Sequence, residues 1–158
     1  MRLLIVILGL TVSLTGRAQQ ERDTIVSRCP VFITDTATSN NFFIEARPAT
    51  IKVDRVRGNL TITIEQKEQF FTIFFRSKNL KNGKYKISLN PDDRNEIAAK
   101  YSFRAGDQVS YVNVANGQLE ATYDSEKKWW KIKVNGMIAN LVERSVTYYR
   151  VKADFNIR

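Results

Sequence analysis

Tyr149-Arg150-Val151-Lys152-Ala153-Asp154-Phe155-Asn156-Ile157 alternates without a break. Tyr149, Val151, Ala153, Phe155 and Ile157 fall on one side, and Arg150, Lys152, Asp154 and Asn156 on the other. Such a period of two belongs to a strand with one face buried and one in water. Working backwards, Trp130, Ile132 and Val134 oppose Trp129, Lys131 and Lys133, and Leu119, Ala121 and Tyr123 oppose Glu120, Thr122 and Asp124. Ile97–Phe103, Lys84–Leu89 and Leu60–Glu65 repeat the pattern. Val31–Thr34 is the first strand, Phe42–Ala46 and Thr50–Val56 are strands with weaker patterns, and Phe70–Phe75 is apolar on nearly both faces, which predicts a central position.

Glycine divides these strands. Asn82-Gly83, Asn116-Gly117 and Asn135-Gly136 match the pair preferred in type I′ hairpins, where both central residues take positive φ. Arg57-Gly58-Asn59 and Ala105-Gly106-Asp107 also read as turns. The expectation is an all-β chain of about ten to twelve short strands joined by hairpins. It is expected as an antiparallel β-sandwich over residues 29–158, with a small calycin-like β-barrel as the alternative. No segment sustains a helical period, and Pro91–Glu96 offers at most one helical turn.

Residues 1–18 read as a signal peptide. Arg2 supplies the positive start, Leu3–Leu14 the apolar run, and Gly16 and Ala18 the small residues before a cleavage site. Removing those eighteen from 158 residues leaves a chain of about one domain's length. Residues 19–28 are polar and expected to be a flexible N-terminal segment. No later stretch is long and apolar enough to span a membrane. The expected location is therefore the periplasm, the cell surface or the medium of a bacterium.

The chain has 25 basic and 16 acidic residues. Two of the arginines lie in the leader, so the mature domain remains basic. Export argues against nucleic acid as the partner and for an anionic envelope surface, a glycan or a protein. The bases are scattered, and many alternate with apolar residues, as the solvent face of a strand requires.

The run Leu60–Ile64, then Gly83-Lys84-Tyr85-Lys86-Ile87, Asn116-Gly117-Gln118-Leu119 and the closing Val151-Lys152-Ala153-Asp154-Phe155 resembles a group of uncharacterised exported bacterial β-sandwich domains. The likeness covers residues 50–158. That group has no assigned activity, so the resemblance implies a location and a fold and no chemistry.

Catalytic motifs are missing from the sequence. There is no histidine, which excludes a Ser-His-Asp triad, a Cys-His dyad and a His-ligated zinc. A single cysteine excludes an internal disulfide. Cys29 is either a packed small hydrophobe or the half of an intermolecular bridge. No Gly-rich phosphate loop or Gly-x-Ser-x-Gly elbow occurs, and the calcium-loop pattern is absent around Asn90, Asp92 and Asp93. The expectation is no catalytic residue, no metal and no cofactor.

The candidate ligand-binding residues are Trp129, Lys131, Lys133 and Tyr148. If Trp130 faces the core, the period of two turns Trp129 outward beside the two lysines, and Tyr148 opposes the Tyr149 series. An exposed flat ring beside cations suits a sugar or an anionic chain. The alternative is that Trp129 packs under a loop. The functional expectation is an exported non-catalytic binding or structural module of the cell envelope. A calycin-like carrier of a small apolar ligand, lined by Phe70, Phe71, Phe74 and Phe75, is the second reading. A small carboxylate-based hydrolase is the third.

Overall fold

The computed structural model describes residues 23–43, 45–142 and 145–158. The expected leader lies outside them. Ten strands run in chain order: β1 Thr24–Val26, β2 Val31–Asp35, β3 Ala49–Val56, β4 Asn59–Gln66, β5 Gln69–Phe75, β6 Gly83–Ile87, β7 Glu96–Ala105, β8 Gln108–Asp124, β9 Trp129–Val142 and β10 Ser145–Ile157. The chain is all-β, as the alternation requires, and no helix occurs among the described residues.

The strands form one hydrogen-bonded sheet in the order β1-β3-β4-β5-β7-β6-β8-β9-β10-β2, with a further β7–β8 pairing. All pairings are antiparallel except β6–β7. The first half of the long strand β8 pairs with β7 and the second half with β6, so β6 fills the place beside β8 that β7 leaves. With β6 set aside, β3, β4, β5, β7, β8, β9 and β10 follow one another up and down. The ladder is single among the described residues. The two facing sheets of the sandwich expectation are replaced by the curl of one sheet, a half-barrel.

Both edges of this sheet come from the same stretch of chain. β1 pairs with β3 at one end, β2 pairs with β10 at the other, and only Ser27–Pro30 joins them. Five residue steps separate Val26 from Val31, so the two edges lie within about 18 Å of each other. Residues 24–26 were expected in the flexible segment 19–28. They are held instead by backbone pairing to Ala49–Ile51 and by Val26 packing on the core.

The concave side carries the core. Ile33, Ile51, Leu60, Ile62, Ile64, Phe71, Ile73, Ile87, Ile97, Leu119 and Ile132 are fully buried, at alternate positions of their strands. β5 lies centrally, between β4 and β7, as its composition predicts. Its Phe71 and Phe75 point inward and are buried, while Phe70 and Phe74 alternate with them and are half-buried.

The turns differ from the sequence reading. Arg57 and Gly58 form a two-residue hairpin loop with φ of 51° and 83°, the positive values of a type I′ turn. Gly106-Asp107 likewise joins β7 to β8. The three Asn-Gly pairs make no hairpin. Asn82 precedes β6, and its side-chain oxygen accepts the Tyr123 N–H at 2.6 Å. Asn116-Gly117 and Asn135-Gly136 lie inside β8 and β9, where Gly117 and Gly136 oppose one another beside a bulge. Phe42–Ala46 is also not a strand. Its described residues lie in bends and turns, and they cover the outer edge of β2. Phe42 donates its N–H to the Ile33 carbonyl at 3.0 Å, and Cys29 donates to the Glu45 carbonyl at 3.0 Å. Pro91–Asn95 contains a bend at Asp93 and a single turn at Arg94-Asn95, closed by the Glu96 N–H to the Asp93 carbonyl at 3.3 Å, and no helix.

Candidate functional site

The outward turn of Trp129 is as the alternation predicts. Ile132 and Val134 are buried, Lys131 and Lys133 are exposed, and Trp129 shares the lysines' parity. Trp130 faces the other way and packs half-buried against the core, with its ring 5.1 Å from that of Tyr123. Trp129 is itself half-buried, and Lys127 stands over its ring with Nζ 5.3 Å from the centroid. That cation approaches the π face, where the ring's charge distribution attracts it.

The four sequence-derived candidates do not meet in one place. Lys131 lies between Thr122 and Asn156 in the cross-strand register, and Lys133 between Glu120 and Asp154. Lys133 therefore has an acidic neighbour on each side. It borders a hollow of about 530 Å³ shared with Phe32, Gln118, Lys152 and Asp154. Tyr148 is half exposed and opposes Ala139, whereas Trp130 opposes Ile157. At about 3.3 Å per residue, Tyr148 lies roughly 30 Å along the sheet from Trp129.

Trp129 instead borders a groove that the sequence reading did not anticipate. It has a volume of about 750 Å³ and runs between the two edges of the sheet. One wall is Thr24, Ile25, Val26 and Arg28, and the other is the end of β10 from Asp154 to Arg158. Val53 also borders it. The groove has this place because β2 covers β10 only from Tyr149 to Ala153. Beyond that register the chain leaves β10 at Pro30 and crosses to β3 as β1. Two edges thus diverge from a fork at Pro30, whose carbonyl accepts the Asp154 N–H at 3.2 Å.

The lining passes from the outer face of the sheet to its interior. Ile25, Trp129, Asp154 and Asn156 have outward parity; Val26, Val53, Phe155 and Ile157 have inward parity. Ile25 is 76% exposed, a large apolar side chain left in water at a sheet edge. The charged residues balance, Asp23 and Asp154 against Arg28 and Arg158. The sequence could have offered Ile25-Val26 and the late β10 residues as strand, but only the pairing of β1 with β3 and of β2 with β10 sets them across a gap.

Cys29 is buried and free, at 1% exposure, which agrees with the packed reading. Burial pushes its thiol above the ordinary value, opposed by a backbone hydrogen bond from Val31. Such a thiol is a poor nucleophile and a poor metal ligand. No group of three His, Cys, Asp or Glu side chains is placed to hold a metal among the described residues. No protein-family model matches the chain, and neither a curated protein nor a solved structure matches it significantly.

Proposed function

We propose that this chain is an exported, non-catalytic binding module of the cell envelope that takes a chain-like ligand, glycan or polypeptide, in the groove beside Trp129. The observation that carries the reading is the groove itself. It brings an aromatic ring, apolar side chains and a balanced set of charges to a gap between two strand edges. Binding sites are built in this way, from apolar walls with a few polar groups that fix orientation. The leader grammar of residues 1–18 supports export, and with it a partner in the periplasm or outside the cell. The test is a titration of the mature domain with chito-oligosaccharides and extended peptides, followed by tryptophan emission. Trp129→Ala should abolish binding, followed for that variant by calorimetry, while lowering the thermal midpoint by only a few degrees. An undiminished response in that variant would overturn the reading.

A second reading, a calycin-like carrier of a small apolar ligand, is favoured by the up-and-down course of the strands, which is the course of the barrels that enclose such ligands. Large side chains occupy its interior, among them Phe43, Phe71 and Ile73 at full burial. A carrier would take up an apolar fluorophore such as N-phenylnaphthylamine regardless of Trp129. The binding module would not.

A further inference from the structure

The two walls of the groove are unlike those of an ordinary cleft, because each is the side of a strand. β1 pairs with β3 on one side only. β10 is paired with β9 as far as Ile157, but with β2 only as far as Ala153. Backbone groups point alternately to the two sides of a strand. Asp154 donates its N–H towards the β2 side, to Pro30. Two residues on, Asn156 must turn its own N–H and carbonyl to that same side, into the groove. Among the described residues no strand lies there to receive them.

An edge of this kind is normally blunted by a charge, a proline, a bulge or a covering loop. The β2 edge has such a cover in Asn41–Glu45, which takes its hydrogen bonds. The β1 and β10 edges that face each other across the fork have none among the described residues. The side chains beside them are apolar inside, with Val26, Val53, Phe155 and Ile157, and mixed outside, where Ile25 and Trp129 stand with Asp154 and Asn156.

Resting on the reading of this groove as the binding site, we infer that its occupant is a short extended polypeptide segment, added as a strand between β1 and the end of β10. The chemistry selects a peptide over a sugar. Two rows of backbone donors and acceptors at strand spacing are matched by a third strand, which offers N–H and C=O groups to both sides. A glycan presents hydroxyls at other intervals. Since β1 continues in the direction of β2, it runs antiparallel to β10, and the guest is antiparallel to one wall and parallel to the other. The free length of β10 from Phe155 to Arg158 accommodates about four guest residues. An inward guest side chain meets Phe155, Ile157 and Val53 and should be apolar. The next points outward, between Ile25 and Trp129. Insertion would bridge the two walls of the fork and close the half-barrel there.

The experiment is a selection of displayed random hexapeptides on the mature chain, counter-selected on Asn156→Pro. That substitution removes the donor that β10 aims into the groove at Asn156, and its β9-facing neighbours keep their bonds. Thermal melts establish that the variant is folded. Enriched peptides are then synthesised with and without N-methyl groups on alternate amides. Binding is followed by fluorescence in a Trp130→Phe background, where Trp129 is the sole tryptophan. The expected result is apolar residues at alternate positions, with affinity at least about fivefold weaker after N-methylation in either register, since alternate amides face β10 and β1. If Asn156→Pro does not fold, the N-methyl comparison alone decides. No enrichment, or binding undiminished by N-methylation in either register, would overturn the inference. Chitohexaose is titrated in parallel. A Trp129 response to the sugar with no selected peptide would sink the peptide assignment and leave the groove standing as a binding site. Silence of Trp129 towards both would remove the site as well.

Discussion

Gly117 of β8 and Gly136 of β9 lie directly opposite each other, and neither has room for a methyl group. A Cβ on Gly117 would run into the backbone of Asn135 and Gly136, and one on Gly136 would come within 2.7 Å of Val114 Cγ1. Gly117 also has φ of 148°, where side-chain-bearing residues are strained. The pair stands beside the bulge between Val114 and Asn116, where β8 passes from its β7 partner to its β6 partner. Glycine at both positions lets two backbones approach while Val114 and Ile87 stay packed in the core.

Gly117→Ala should therefore destabilise the domain by about 2–4 kcal/mol, from backbone strain together with overpacking. Gly136→Ala should cost about 1–3 kcal/mol, from overpacking alone. Gly58→Ala, where the added Cβ meets open space, should cost only the strain of its positive φ, about 1–2 kcal/mol. Denaturant melts of the three variants test this order. A Gly117→Ala loss no greater than that of Gly58→Ala would show that the strands can separate there without penalty.

Cys29 should be inert in the folded domain. Native protein should resist iodoacetamide near neutral pH and react promptly once unfolded. Cys29→Ala should cost about 1 kcal/mol and Cys29→Ser more, since a hydroxyl would be buried in place of a thiol. The thiol's folded value is raised by burial. Its contribution to stability is thus fully present below the ordinary thiol range and is lost as pH rises through and above it, because the unfolded chain releases that proton first. A Cys29→Ala variant should show less decline in thermal midpoint on the alkaline side than the native chain.

Glu96 ties the crossover between β6 and β7. One carboxylate oxygen accepts the Asp92 N–H at 2.9 Å and the other accepts Lys86 Nζ at 3.0 Å. The Asp92 bond, and then Lys86, hold the carboxyl below its ordinary value. The sign is opposite to that of Cys29. The stabilisation is present above the unfolded carboxylate range and is lost as pH falls through the lowered folded value. Glu96→Gln should melt below the native chain at neutral pH, and the two curves should converge only once the pH has fallen below the lowered folded value. A constant gap between them at all pH values would mean that charge has no part in the tie.

How much of this was legible beforehand depends on whether a residue's role is set by its neighbours in sequence or by its neighbours in space. The alternation of Tyr149–Ile157 and of Trp130–Val134 is a local pattern, and it assigned inward and outward faces that the structure keeps. Arg57-Gly58 is equally local. Asn116-Gly117 and Asn135-Gly136 misled because glycine answers two different needs, positive φ in a turn and close approach of another backbone. Only the pairing of β8 with β9 reveals which applies. The groove was illegible for the same reason. Ile25 and Asn156 are 131 positions apart, and what relates them is the departure of the N-terminal segment from β10 at Pro30.

The two tryptophans put the geometry of the site to its simplest test. A ring on the core side of β9 should matter for folding, and a ring on the outer side for binding. Trp130 is only half-buried, at the end of the core beside Tyr123 and Ile157. Trp130→Ala should therefore cost about 2 kcal/mol, less than the 3–5 kcal/mol of emptying a fully enclosed aromatic site. Trp129→Ala forfeits partial burial and the contact with Lys127, together about 1 kcal/mol. Lys127→Ala should alter Trp129 emission without moving the thermal midpoint measurably. The decisive comparison is between the two alanine variants in denaturant melts. Should Trp129→Ala prove the more destabilising, its ring would be a structural plug of the fork, and the groove would have to be sought as a binding site without it.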